Sequence, residues 1–394
     1  MDLLYVLQNF PKISESFILN ELYELEERGH NIAIFALGKP DEEFTHEEFR
    51  DIEAEIYYPE WPTYSDLNRL IWRQLLRPTF ITTLALNRGL KYRLTQAYMT
   101  REIVRFTKRL DLEPELIHTH FSTRGSLYPY SASKILGIPF SIEVHANDIF
   151  HEDRTSFSRK FLRKPGRIIT VSNFNRNYLQ EEFGLEKPID VVPVSVRTQK
   201  FEPKGLEEKN KIVSVGRLVE KKGFQYGIKA FSKLKEEYPE LRYKIIGEGE
   251  LEQELRQLSE DLGVSEDIVF SGYVSDEELK KEMEEAKVFV LPCVKAENGD
   301  LDAMPMVLKE AMALKTPCVS TTVSAIPELI EDKEDGLLVE PRNASSMRVK
   351  LSELLQSKRQ RDKMGEKARK KINEEYNISK NIEKIEAAFR KTIS

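Results

Sequence analysis

Apolar positions along the chain fall into short continuous runs. Between them lie stretches in which apolar residues recur every three or four positions, the rhythm of a parallel sheet covered by helices. In the first half, residues 3–7, 32–36, 116–120, 140–144 and 168–171 predict strands. Between the first two, Ile18, Leu22 and Leu25 mark one face of a helix that Ser14 can cap and Gly29 can stop. Across 41–112 the rhythm breaks into two or more basic, aromatic helices that interrupt the sheet. A second set of strands is predicted at 212–215, 243–246, 268–271, 288–291, 317–320 and 336–339, each leading into a helical pattern. Pro193, Pro203 and Gly205 mark a linker over 193–210, and charged amphipathic helices run from about 343 onward.

This pattern predicts an α/β protein of two Rossmann-like domains whose parallel sheets face each other across a cleft. The first domain is expected over 1–195, with the basic helical insertion at about 41–112, and the second over 196–375. A last helix, 376–394, is expected to cross back to the first domain. A chain of 394 residues is long enough for two separate cores. Ligands of such sheets bind beyond the carboxyl ends of the strands, so residues just after the predicted strands are the ones to inspect.

Composition narrows the setting. No apolar run approaches the roughly 18 residues of a membrane helix, and the longest, such as 288–294, are strand-sized. The opening residues lack the basic start and cleavage site of a signal peptide. Cys293 and Cys318 lie far apart without metal-ligand spacing, so a cytosolic, reduced compartment is expected. The net charge of −6 conceals an asymmetry: residues 61–110 carry ten Lys or Arg against two acids, a local +8 that leaves −14 on the remainder. Nucleic acid is not the expected partner, because the chain as a whole is acidic and no recognised binding module appears.

Three segments carry chemistry. The first is 298–313, where Asn298-Gly299-Asp300-Leu301-Asp302 leads into a helix with Pro305 near its first turn. Free amides at such an end, backed by the helix dipole, suit an anionic or sugar oxygen. Asp302 and Glu310 can present two carboxylates to one cleft, each able to accept hydrogen bonds from vicinal hydroxyls. Spacing equally allows Asp302 as a plain helix cap and Glu310 as a solvated face residue. The second is 216–223, where Arg217 and Lys222, five apart on a loop leaving a strand, can converge on a diphosphate without a metal. Alternatively the loop is only basic and solvated. Gly247-Glu248-Gly249 lacks the spacing of a dinucleotide site. The third is 143–148, in which His145 ends a strand and projects into the cleft, with Asp148 near enough to orient it or to meet a substrate hydroxyl. A structural histidine is the competing reading, as it is for His118 and His120 at a sheet edge. No HExxH, CxxC pair, P-loop or GxSxG occurs.

In order, Phe10-Pro11-Lys12 with Ser14-Glu15-Ser16-Phe17, Val144-His145-Ala146 with Asp148, Ser172, and Gly216-Arg217-Leu218 with Lys222-Gly223 precede the block from Pro305 to Ala313. Ile326-Pro327-Glu328 and Asp335-Gly336-Leu337-Leu338-Val339 follow it. Taken together the set resembles, over essentially the whole chain, the retaining glycosyltransferases of the GT-B fold, group-1 or family-4 type. The opening segment is similar to members that build exopolysaccharides or other surface glycans.

The resemblance implies transfer of a hexose-type sugar from a nucleotide diphosphate sugar to a glycan or lipid-linked acceptor, with retained anomeric configuration and no bound metal or other cofactor. It places the acceptor on the first domain and the donor on the second. Arg217 and Lys222 would grip the diphosphate, Glu310 the ribose, and the backbone of Met304, Pro305, Met306 and Val307 the donor oxygens. Tyr273 would border the base. Asp302 would contact the hexose and His145 would sit beside the reacting carbon. Asp148, Ser14 and His120 would meet the acceptor or orient the site. Where the family has Glu followed by Gly, this chain has Asp302-Ala303, and the loop after 3–7 lacks the family's Gly-Gly pair.

Within 61–110, Arg69, Arg73 and Arg77 recur at helical spacing opposite Leu67, Leu70, Ile71 and Leu75, flanked by Trp61, Trp72 and Tyr92. This predicts either a peripheral contact with an anionic membrane at its inner face or a helix packed on its own domain. Rival functions are a GT-B sugar-nucleotide epimerase, a phosphorylase, whose pyridoxal type needs a buried lysine that the sequence does not reveal, or a non-catalytic glycan-binding subunit.

Overall fold

The computed structural model describes residues 1–12, 15–39, 49, 52–63, 66 and 89–394. Strands β1 (Asp2–Asn9), β2 (Asn31–Gly38), β3 (Glu55–Tyr57), β4 (Leu116–His120), β5 (Phe140–Val144), β6 (Arg167–Thr170) and β7 (Ile189–Val191) build the first sheet. They lie in the order β3-β2-β1-β4-β5-β6-β7, paired in parallel throughout. Leu3, Leu4, Tyr5 and Val6 of central β1 are all buried, as a strand covered on both faces must be. The second sheet contains β8 (Lys209–Val215), β9 (Arg242–Ile246), β10 (Ile268–Phe270), β11 (Ala286–Leu291), β12 (Cys318–Thr321) and β13 (Leu337–Val339). Their order is β10-β9-β8-β11-β12-β13, again parallel.

Every strand run read from the sequence overlaps an observed strand, so the two-sheet α/β reading holds. β3 and β7 are additions. Each is three residues long and includes an acid, Glu55 or Asp190, so no apolar run stands out. β3 lies within 41–112, where basic helices interrupting the sheet were expected, and extends the sheet beyond β2. Arg69, Arg73 and Arg77, like Ser14, lie outside the described residues. The helix Leu90–Thr107 packs on the helix Leu127–Leu136. Among the described residues no helix is long and apolar enough to cross a membrane.

Each sheet reverses its winding once, between β1 and β4 and between β8 and β11. Such a switch point opens a crevice at the carboxyl ends of the strands. In the second sheet the two flanking loops are bound together, with Val294 N donating to Lys221 O at 2.9 Å. Gly223 (φ 66°) belongs to this contact: a Cβ there would stand 2.0 Å from the Pro292 carbonyl oxygen.

The helix Ser16–Glu27 buries the expected Ile18, Leu22 and Leu25, and Gly29 (φ 79°) follows its end. It also buries Glu21, an acid on the apolar face. The helix Ile378–Ile393 packs on the first sheet, where Ile382, Ile385, Ala388 and Phe389 share a core with Leu3, Tyr5 and Leu7. The chain crosses between the units twice, and the crossings are bonded to each other: Val196 N donates to Tyr376 O (2.9 Å) and Ile378 N to Val196 O (3.0 Å). Irregular buried backbone needs partners. Arg369 supplies them to Phe201 O (2.7 Å) and Ala313 O (2.8 Å), and Lys309 Nζ donates to Val194 O. Farther out, Glu328 of the second unit accepts from the amides of Asn173 (3.0 Å) and Phe174 (2.7 Å), which open the helix Asn173–Glu181 of the first.

Phe389 is fully buried against Tyr5 and His118. Phe389→Ala is expected to cost about 3–5 kcal/mol in denaturant unfolding, as large-to-small core changes of an aromatic do. An unchanged midpoint would mean that the last helix does not hold the first unit together.

Candidate active site

The loop after β8 carries Arg217, Lys221 and Lys222. Arg217 is exposed and forms no side-chain hydrogen bond or ion pair among the described residues. Lys221 and Lys222 are buried, which ammonium groups tolerate only when paired. Lys222 Nζ lies 2.6 Å from Asp302 Oδ2, and Lys221 Nζ lies 3.2 Å from Asp302 Oδ1 and 3.1 Å from Asp300 Oδ2. Burial alone would raise the Asp302 carboxyl, but Lys222 and Lys221 hold it well below the usual carboxylate range. Lys221 is likewise held above its ordinary value: burial lowers it, and Asp302 and Asp300 outweigh that. The Lys222 stem runs past Gly216, where a Cβ would come within 3.3 Å of its Cε. Of this cluster the sequence reading singled out Lys222 and Asp302 and passed over Lys221 and Asp300. Their adjacency to the chosen residues was the available signal.

Beyond Asp302 the helix Met306–Ala313 begins with Pro305 at its cap position. Proline has no N–H to waste there, and the amides of Met306 and Val307 have no carbonyl of their own helix to bond. Met304 is buried just before the cap. Glu310 lies within that helix. It lines, with Met306, a cavity of about 60 Å³ between the units, bordered by Leu19 and Asn20 on one side and by Arg197 and Lys200 on another. Tyr273 is exposed beyond β10, its amide 3.4 Å from Glu248 Oε1, on a loop joined to its neighbour by the Gly247–Gly272 bridge.

In the first unit His145 follows β5 and is more enclosed than expected for a residue projecting into a cleft. Its ring packs against Phe17 and Phe121, each with its centroid 4.7 Å away. Its Nε2 points inward, 3.2 Å from His120 Nδ1 and 3.6 Å from Glu143 Oε1. Burial, and then His120, depress its pKa well below the ordinary imidazole value, so the ring is neutral. Asp148 is fully buried, and its two oxygens accept from the backbone of His145 (2.8 Å) and Ser122 (2.7 Å). It thus fixes the turn that carries His145 and has no exposed surface to offer a substrate hydroxyl. Burial pushes the Asp148 carboxyl up to about 7 against the pull of those amides. Behind His145 sit His120 and Glu143, both buried, with Glu143 Oε2 lacking a partner. Burial drives the Glu143 carboxyl up to about 8; His120 opposes this, and Glu21 and Asp148 add to it.

The two halves meet across the cleft. Asn147 Nδ2 is 3.3 Å from Asp300 Oδ2, and Asn298 Nδ2 is 3.3 Å from His151 Nε2. The Glu152 amide donates to Asn298 O at 3.2 Å. The loop that holds the lysine-paired carboxylates therefore rests on the segment that begins at His145. The structure also contains the buried lysine that sequence reading did not find: Lys309, on the apolar side of the helix bearing Glu310, drawn down to about 7 by burial with Glu310 opposing. Its ammonium is spent on Val194 O. Among the described residues one group of His and acidic side chains, Glu21, His118, His120 and Glu143, brings possible metal-ligand atoms within 4.8 Å of one another.

Comparison with known proteins completes the description. The model for glycosyl transferases group 1 matches residues 196–371 and that for glycosyltransferase family 4 matches 14–200. The putative colanic acid biosynthesis glycosyltransferase WcaL of Escherichia coli K12 is 27% identical over 95% of each chain. The amylovoran biosynthesis glycosyltransferase AmsK of Erwinia amylovora is 26% identical over 96% of each. Among solved structures, the Anabaena protein HepE in complex with UDP superposes with a TM-score of 0.76 at 14% identity, over 99% of this chain and 100% of that one, which shows the shared GT-B fold.

Glu143 generates a pH prediction. Its folded-state carboxyl, near 8 against an ordinary 4.5, keeps a proton that the unfolded chain loses between those values, so native stability falls as pH rises through that window and levels off above it. Glu143→Gln removes this loss. Relative to wild type the variant is expected to gain at least about 1 kcal/mol between pH 5.5 and 8.5 in urea unfolding. A pH-independent difference would mean that Glu143 is ionised in the fold.

Proposed function

We infer the reaction from one premise: the chain belongs to the group 1 and family 4 glycosyltransferases and is an enzyme of that class. The reading is a retaining transferase that moves a hexose-type sugar from a nucleotide diphosphate sugar to a hydroxyl of a glycan or lipid-linked acceptor. Its place is exopolysaccharide or surface-glycan biosynthesis, the work for which WcaL and AmsK are named. The observation that carries it is the buried Lys221–Lys222 pair at the carboxyl end of β8, with exposed Arg217 beside it and the opening of the helix Met306–Ala313 across from it.

In this reading a donor diphosphate takes Lys222 from Asp302. Arg217 and Lys222 then neutralise the charge that grows on the departing phosphate, so the diphosphate needs no metal. The amides of Met306 and Val307 meet donor oxygens, and Glu310, in the cavity between the units, accepts from the ribose hydroxyls. Asp302, released from Lys222, accepts from the hexose. The C1–phosphate bond breaks as the acceptor oxygen bonds C1 from the same face, and the acceptor proton passes to the leaving phosphate. Asp302 is one methylene shorter than the family's Glu, and Ala303 replaces its glycine, which supports a shifted choice of donor sugar. The basic segment 61–110 brings the enzyme to an anionic membrane surface at the cytoplasmic face, where a lipid-linked acceptor resides.

A nucleotide-release assay tests this with a panel of UDP-, GDP- and ADP-sugars, using lipid-linked acceptors in anionic and in neutral vesicles. Release of one nucleotide is expected only with acceptor, faster on anionic vesicles, and reduced roughly 100-fold or more in Arg217→Ala and Glu310→Ala. Product formed from donor alone would point to an epimerase. No release and no binding of any nucleotide would point to a glycan-binding subunit.

A further inference from the structure

The first sheet and one helix gather four side chains that the reaction above leaves unused. His118 and His120 stand two apart on β4 and so share a face of the strand. β4 lies inside the sheet, between β1 and β5, rather than at an edge. On β5, Glu143 is in register with His120. Glu21 reaches the same place from the helix Ser16–Glu27, as the one acid on its buried face.

All four residues are at most 3% exposed. Three of their atoms, His118 Nε2, His120 Nε2 and Glu143 Oε2, have no hydrogen-bond partner among the described residues. Polar atoms left this way in a core are costly and call for a ligand. Among the described residues Glu21 and Glu143 also have no Lys or Arg partner; His120 approaches the first at 3.5 Å and His145 the second at 3.6 Å.

The spacing suits a small cation. Possible ligand atoms of the four side chains lie within 4.8 Å of one another. A tetrahedral zinc with arms of about 2.0–2.1 Å holds its ligand atoms roughly 3.4 Å apart. Glu21 Oε1 and His120 Nε2 already stand 3.5 Å apart, and the others need to close in by about an ångström. The outer contacts are in place. His118 Nδ1 is 2.7 Å from Ser141 Oγ, His120 Nδ1 is 3.2 Å from His145 Nε2, and Tyr5 Oη donates to Glu21 Oε1 at 2.6 Å. Imidazoles that bind a metal engage their second nitrogen in this manner, and the nitrogen left in both rings is the unpartnered Nε2.

Two imidazole nitrogens and two carboxylate oxygens select among metals. Calcium and magnesium prefer oxygen alone and copper(I) prefers sulfur, whereas zinc takes such a mixed tetrahedral set. We propose that Glu21, His118, His120 and Glu143 bind a divalent transition-metal ion, zinc by this preference, in the core of the first unit. The ion's role is structural: it ties the helix Ser16–Glu27 to β4 and β5 beneath His145, and the two carboxylates balance its charge. Bound ligands are deprotonated, so the pH response described above for Glu143 belongs to the chain stripped of metal.

Zinc binding by the untagged full chain, stripped with a strong chelator, titrated with zinc and then dialysed, tests the proposal. One retained zinc per chain is expected, with Tm raised by at least about 5 °C and the rise reversed by chelator. Magnesium and calcium are expected to give no such rise. X-ray absorption is expected to show nitrogen and oxygen neighbours at about 2.0–2.1 Å and no sulfur. Glu21→Gln and His118→Gln are expected to weaken zinc at least about 100-fold, and Ser141→Ala about tenfold through the His118 ring. Zinc retained well below one per chain without a Tm rise, sulfur from Cys293 or Cys318 around the ion, or binding unchanged in both ligand variants would overturn the proposal. The wild-type measurements decide it even where a variant does not fold, and neither outcome alters the transferase reading.

Discussion

The cleft depends on a pair of chain crossings that hold two parallel sheets with their carboxyl edges opposed. Val196 is bonded on both sides to the backbone at 376–378, so the outgoing and returning strands of the connection act as one short ribbon. Carbonyls on that irregular stretch would be costly to bury alone. Arg369, Lys309 and Asn381 meet them or their neighbours, and each comes from a helix of the second unit or from the last helix. The last helix then inserts Phe389 and its apolar neighbours into the first unit's core. Hinge and clasp are thus built from the same few residues, and the geometry at His145, Asp302 and Glu310 follows from where they set the two edges.

Within that frame the second unit pairs its two buried lysines with its own carboxylates. Lys221 is held above its ordinary value because Asp302 and Asp300 face it, and Asp302 is held below its own because Lys222 and Lys221 do. Removing one partner from such a set leaves a buried charge uncompensated, whereas exchanging it for a phosphate does not. In the proposed reaction, such a set favours a group carrying at least the charge it displaces. Asp300 also reaches Asn147 of the first unit, so the electrostatics of that set and the closure of the cleft share a residue.

How much of this was legible in the sequence varied with the size of the signal. Apolar runs such as 3–7 and 288–291 are dictated by burial on both faces and were readable directly, as were the helix face of Ile18, Leu22 and Leu25 and the residues just after each strand. β3 and β7 were not, because a charged residue interrupts each, Glu55 in Glu-Ile-Tyr and Asp190 in Ile-Asp-Val, whereas the equally short β10 and β13 are apolar throughout. Lys222 and Asp302 stood out by motif, yet their mutual ion pair did not, since spacing along the chain says nothing of contacts between β8 and β11 loops. Glu21 was hidden for a different reason. An acid on an apolar helix face reads as an interruption of the pattern until its partners, Tyr5 and His120, are known from other strands. Lys309 was hidden in the same way, its burial explained only by a carbonyl more than a hundred residues away.

The central claim is that a donor diphosphate binds at the carboxyl end of β8 by taking Lys222 from Asp302. A crystal structure of the protein with a nucleoside diphosphate bound tests it directly. The account predicts phosphate oxygens within hydrogen-bonding distance of Arg217 and Lys222, the ribose against Glu310, and the 2.6 Å contact between Lys222 and Asp302 broken. A nucleotide seated elsewhere, or one bound with that ion pair intact, would contradict it.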